Sequence, residues 1–105
     1  MKRLLALAAA LALAAALAIP ALAATKTVAV KDSSFAPGKL TVKAGTKVVW
    51  KWKSSLPHNV TVTRGPKKFH SKTQSSGSFT AIPHKKGTYN IVCTIHGFTM
   101  KLVVR

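Results

Sequence analysis

Acidic residues are almost missing from this chain: Asp32 is the only carboxylate side chain among 105 residues, against 17 lysines and arginines. A surface this basic draws acidic proteins, anionic lipid or wall polymers and, without selectivity, nucleic acid. The aromatic residues are few, at 7%, and are not arranged as a base-stacking platform, which argues against a specific nucleic-acid partner. Cysteine is nearly missing too. Cys93 stands alone, so no disulfide can form within the molecule. Beyond residue 23 there is no internal repeat, no low-complexity tract and no segment of helical periodicity, which excludes repeat architectures and helical bundles.

The chain begins with Lys2 and Arg3, ahead of an Ala/Leu run from Leu4 to Ile19 that closes at Pro20-Ala21-Leu22-Ala23. A basic start, an apolar stretch and small residues at Ala21 and Ala23 are the order of a secretory signal. Residues 1–23 are therefore read as a signal peptide and residues 24–105 as one mature domain, exported to the periplasm or the extracellular side of the cell envelope and expected to be a monomer. A retained anchor is the alternative, because Leu4 to Ala24 just spans a hydrocarbon layer of ~30 Å; the helix-breaking Pro20 and the small-residue site favour removal. No cysteine stands directly after Ala23, so lipid attachment there is not expected. Without Lys2 and Arg3, 15 of the 17 basic residues remain against Asp32, a formal charge of +14 with histidines neutral. A domain this short has a core at the lower edge of what folds without a staple such as a metal or disulfide. Unpaired thiols are unusual outside the cytoplasm. Cys93 is either an inert buried thiol or a metal ligand.

Period-two alternation runs through the rest of the chain. Val28/Val30, Leu40/Val42, Val48/Trp50/Trp52, Val60/Val62, Tyr89/Ile91/Cys93 and Leu102/Val104 each alternate with polar or cationic residues, the mark of half-buried strands. Lys39, Lys43, Lys47, Lys51 and Lys53 fall in the outward phase, so much of the charge is a solvated face that also blunts strand edges. Turn signals at Pro37-Gly38, Ala44-Gly45, Ser54 to Pro57, Arg64-Gly65-Pro66, Gly77 and Lys85-Lys86-Gly87 divide these runs. About seven short strands predict an all-β, antiparallel Greek-key β-sandwich. The one long connection, Arg64 to Ser76, is polar and is expected to be mobile or to face a partner.

Chemistry concentrates in Cys93-Thr94-Ile95-His96-Gly97-Phe98-Thr99-Met100. A thiolate, an imidazole and a thioether fall within this one run. Thiolate and thioether suit Cu(I), imidazole accommodates both copper states, and two histidines, one cysteine and a distant methionine make a blue-copper set. The second imidazole must come from elsewhere. His58 is the best candidate: it opens a strand in phase with Val60 and Val62, as Cys93 ends one in phase with Tyr89 and Ile91, so both can point inward at one end of the sandwich. His70 and His84 lie among lysines and are expected to be exposed. Phe69 and Phe79 are expected in the core.

With these residues in view, the chain resembles the plastocyanin/amicyanin-like cupredoxin family over its whole mature length. The likeness rests on Phe35, Pro37, Leu40, Val42, Gly45, Val48 and Trp50, then Pro57-His58-Asn59-Val60, Gly77-Ser78-Phe79, Gly87-Thr88-Tyr89 and Cys93-x-x-His96. It implies one type 1 copper per chain, held by His58, Cys93 and His96 with Met100 as the long axial contact, and single-electron shuttling between redox partner proteins rather than enzymatic turnover. It also implies that Asn59 ties the His58 loop to the Cys93 loop, and that an apolar patch of Leu56, Pro57, Gly97 and Phe98 surrounds an electron port at His96. The positive charge suits partners with acidic docking surfaces. Two features depart from the family. Three residues separate His96 from Met100 where close relatives have two or four, and Trp52 stands where relatives often carry asparagine. An enzyme would need a second copper site or a substrate pocket, with only His70 and His84 left to build one. A copper-binding or delivery protein without an electron-transfer role is the alternative, separable by the colour of its copper form.

Overall fold

The computed structural model describes residues 24–105; the signal peptide expected over 1–23 lies outside the described residues. Eight strands are present among the described residues: β1 (Thr25–Val30), β2 (Phe35–Ala36), β3 (Lys39–Val42), β4 (Lys47–Trp52), β5 (Thr61–Arg64), β6 (Ser78–Ala81), β7 (Gly87–Val92) and β8 (Thr99–Val104). They form two four-stranded sheets, ordered β2-β1-β4-β6 and β3-β8-β7-β5. No helix occurs among the described residues. The expected all-β sandwich is present, two strands richer than the six alternating runs, because β2 and the half-buried β6 are too short or too weakly patterned to register as period-two runs.

Pairing is where the structure goes beyond the antiparallel expectation. β1 runs parallel to β4, with Val28 opposite Trp50, and β3 runs parallel to β8, with Leu40 opposite Leu102. The other pairs are antiparallel. Parallel neighbours need a crossover connection, and here the chain supplies it by leaving the first sheet after β2, adding β3 to the second sheet and returning as β4. Both sheets are therefore mixed.

The inward phase of each strand meets in one core of Val28, Val30, Val48, Trp50, Trp52, Val62, Tyr89, Ile91, Leu102 and Val104, with Phe35, Val42, Val60, Cys93 and Met100. Phe69 and Phe79 are half-buried against it, each within 6.1 Å of the Trp50 ring or of one another. Trp52, although it ends β4, is buried, and its indole N–H has no hydrogen-bond partner among the described residues. Such an orphan costs about 1–3 kcal/mol. The five outward lysines are all exposed, as their phase requires.

The segment from Arg64 to Ser76 is not a free loop. Phe69 O accepts from Val62 N–H, Ser71 N–H donates to Val60 O, and His58 and Gln74 exchange both backbone bonds at 3.0 Å. The Ser71 hydroxyl also accepts from Val60 N–H at 2.9 Å. Gly65 and Gly87 let this segment close on β7: a Cβ at Gly65 would lie 3.0 Å from the Tyr89 ring, and one at Gly87 would lie 2.6 Å from Pro66. Polarity concealed a quasi-strand whose side chains alternate too weakly to read.

Leu102 is fully buried at the centre of β8. Leu102→Ala should cost about 2–5 kcal/mol, read from urea midpoints, whereas Lys101→Ala on the exposed face of the same strand should change stability by no more than about 0.5 kcal/mol.

Candidate metal centre

Two loops at one end of the sandwich bring the chemistry together. The first follows β4 and carries Ser54, His58 and Asn59; the second joins β7 to β8 as a tight hairpin in which Cys93 N–H donates to Phe98 O and Gly97 N–H donates to Cys93 O. Gly97 sits at φ +78°, a left-handed conformation that a side chain disfavours. β5 and β7 pair with Thr61 opposite Val92, which sets the residues before one strand beside the residues after the other. His58 and Cys93 are fully buried, and His96 is exposed.

The three donors face one another. His58 Nδ1 lies 3.0 Å from His96 Nδ1, and Cys93 Sγ lies 3.7 Å and 3.8 Å from those two nitrogens. A circle through these three atoms has a radius of about 2.0 Å, close to a metal–nitrogen bond length and slightly shorter than a metal–sulfur one. Both imidazoles thus present Nδ1 inward at coordination distance around one point. The far nitrogen of His58, Nε2, is 3.0 Å from Ser54 Oγ, which in turn accepts from Leu56 N–H. With Nε2–H donating to Ser54, the lone pair of Nδ1 is free to ligate. A buried free thiol and two convergent imidazoles fit copper by donor softness as well as by spacing.

Asn59 binds the two loops. Its Oδ1 accepts from Thr94 N–H at 3.1 Å and from Thr61 Oγ1 at 2.8 Å, and its Nδ2 donates to Thr94 Oγ1 at 2.7 Å and to Thr73 Oγ1 at 3.3 Å. Both ends of the amide are used. This is the tie that the family resemblance implies for Asn59, and it reaches a third segment through Thr73.

Met100 is buried in β8 opposite Ile91, one inward step from the Cys93 and Phe98 pair. Its sulfur accepts a hydrogen bond from the Trp50 indole at 3.3 Å. Around the exposed His96 ring, Phe98 stacks against it at 6.3 Å while also edging His58 at 5.2 Å and Phe35 at 4.8 Å. Leu56 is 43% exposed and Ile95 48%, large apolar side chains left in water beside the site. Ile95 was not foreseen in this patch, nor were Ser54, Thr73 and Thr94 foreseen as supports; their hydroxyls find partners across loops, for which local spacing offers no signal. His70 and His84 are exposed and outside the triad, as expected.

Fold and site define a class: a copper-binding β-sandwich with a His-Cys-His centre at one end. The chain belongs to the cupredoxin-like domain family, whose model matches residues 3–104. Sequence comparison with curated proteins finds no match. Among solved structures it is similar to an oxidized proline-to-glycine mutant of amicyanin, with 26% identity over 83% of this chain and 96% of that one and a TM-score of 0.69. It is also similar to a purple cupredoxin from Nitrosopumilus maritimus, at 20% identity, 76% and 99% coverage and a TM-score of 0.68. A copper-containing nitrite reductase from Thermus scotoductus SA-01 matches at 23% identity and a TM-score of 0.70, over 83% of this chain but 23% of the reductase. The last two likenesses speak for the fold alone.

Burial first, and then the charge of nearby His96, hold His58 below the usual imidazole range, with Asp32 opposing. The unfolded chain therefore takes up this proton before the folded one does. The metal-free protein should keep this contribution to stability above the ordinary value of 6.5 and lose it as pH falls through the depressed folded value. Urea midpoints measured over that range should decline with falling pH; a flat profile would show that folded His58 protonates freely.

Proposed function

We propose that this chain is an exported type 1 blue-copper protein that shuttles single electrons between redox partner proteins, with one copper held by His58, Cys93 and His96 and capped axially by Met100. The observation that carries the reading is the triangle of inward Nδ1, Nδ1 and Sγ atoms, 3.0 to 3.8 Å on a side, closed by a buried thiol. Copper supplies a one-electron couple there when bound. The protein keeps the donors still: Ser54 orients His58, and Asn59 locks the His58 loop to Thr94, beside Cys93. Donors that do not move between oxidation states keep the reorganisation on electron transfer small.

His96 is the port. Its ring is the one donor exposed to solvent, and the apolar Leu56, Ile95 and Phe98 around it suit a dry, short-lived contact with a partner. The positive field of the whole molecule steers it toward acidic faces of such partners. No bond of a substrate is made or broken, and the chain works as a carrier rather than an enzyme. Export follows from the leader read at residues 1–23.

Cys93→Ser should abolish the intense visible band of the copper-loaded protein, since the thiolate supplies that charge transfer; a colourless parent would instead favour copper delivery. The axial role of Met100 has its own test. A soft thioether favours Cu(I) and an amide oxygen favours Cu(II), so Met100→Gln should lower the reduction potential and Met100→Leu, which removes the donor and keeps apolar volume, should raise it. Voltammetry showing both variants at the parent potential would leave Met100 as a core residue held by Trp50.

A further inference from the structure

Strand directions divide the molecule into two unlike poles. β7 separates Lys86 from Cys93 by about 23 Å at ~3.3 Å per residue, so the Lys85-Lys86 turn lies at the end opposite the metal centre. The same end gathers the turn after β3 and the C-terminus: Gly45 N–H donates to Pro83 O, Ala44 N–H donates to Arg105 O, and Gly45 lies beside the His84 ring. Lys43, Lys47, Lys67, Lys85, Lys86 and Arg105 are all exposed there or on its margin. The metal pole instead presents Leu56, Ile95 and Phe98.

The cationic pole also holds a cavity of about 340 Å³. Its floor is apolar, made by Phe69, Ala81, Ile82, Pro83 and Tyr89, and Lys67, His84 and Lys85 stand at its rim. Ile82 is 49% exposed and lines this cavity. The buried Tyr89 backs the cavity, and its hydroxyl donates to Lys85 O at 2.7 Å. An apolar pocket flanked by Lys67 and Lys85 complements an amphipathic anion. The described chain enters the fold at this pole, where Ala24 O accepts from Lys47 N–H.

We propose that the pole opposite the metal centre is a binding site for anionic phospholipid, with the headgroup phosphate between Lys67 and Lys85 and an acyl segment against Phe69 and Ile82. Seated in this way, the protein turns His96 and its apolar patch away from the membrane. The site is independent of copper.

The test uses residues 24–105, which contain all eight strands and the whole core, sedimented with phosphatidylcholine vesicles with and without phosphatidylglycerol. Binding is expected only to the anionic vesicles, equally for copper-loaded and metal-free protein. Lys67→Gln with Lys85→Gln should weaken it roughly thirtyfold, at ~1 kcal/mol for each lysine near an anionic surface. Lys51→Gln with Lys101→Gln removes the same charge from the sheet faces and should weaken it far less, and Ile82→Asn should weaken it with the charge intact. Equal losses from the two lysine pairs would overturn the site in favour of diffuse attraction. Undiminished binding by the Ile82 variant, or equally tight binding to a polyanion without acyl chains, would overturn the lipid assignment in favour of a wall-type polymer.

Discussion

The hydrogen bonds of Asn59 join the loop before β5 to the loop after β7, 35 residues further along the chain. One side-chain amide accepts from Thr94 and Thr61 and donates to Thr94 and Thr73, and through those contacts the loop bearing His58 is set against the loop bearing Cys93. A small core cannot absorb a buried imidazole and a buried thiol unless each is held where it has a partner. Here each is the other's neighbour. Ser54 completes the arrangement by taking the outer nitrogen of His58 and leaving the inner one for the centre.

That constraint reaches into the sandwich. The β5–β7 register brings His58 and Cys93 to one edge of the core, and the β7–β8 hairpin carries Phe98 and Met100 back beneath them. Trp50, on the facing sheet, donates to the Met100 sulfur, so the end of the metal centre and the middle of the core share a contact. Trp52 shows the reverse case. It fills space at the end of β4 and leaves its N–H unpaired, packing gained at the cost of a hydrogen bond.

The distribution of charge follows from the same strand directions. Alternation puts lysines on the outward face of each strand, but it is the turns at one pole that collect Lys43, Lys85, Lys86 and Arg105, while the turns at the other carry the apolar surround of His96. One pole is apolar and close to the donors, the other cationic and distant from them. A net charge says nothing of this separation.

Much of the protein is legible in the sequence because its information is local. Period-two runs mark which side of Val28, Trp50, Ile91 or Leu102 faces inward, and a cysteine and a histidine within one hairpin point to a metal site before any fold is known. His58 was within reach because its phase matched Val60 and Val62. Tertiary structure alone decided which strands became neighbours, since alternation specifies a face and not a partner; the parallel β1–β4 and β3–β8 pairs depend on the chain's passage between sheets. It alone joined Ser54 to His58, Asn59 to Thr94 and Trp50 to Met100, and pinned the polar Arg64–Ser76 segment to β5. Those contacts link residues through geometry that no spacing encodes, because a hydrogen bond between loops forms only after the core beneath them has set their distance.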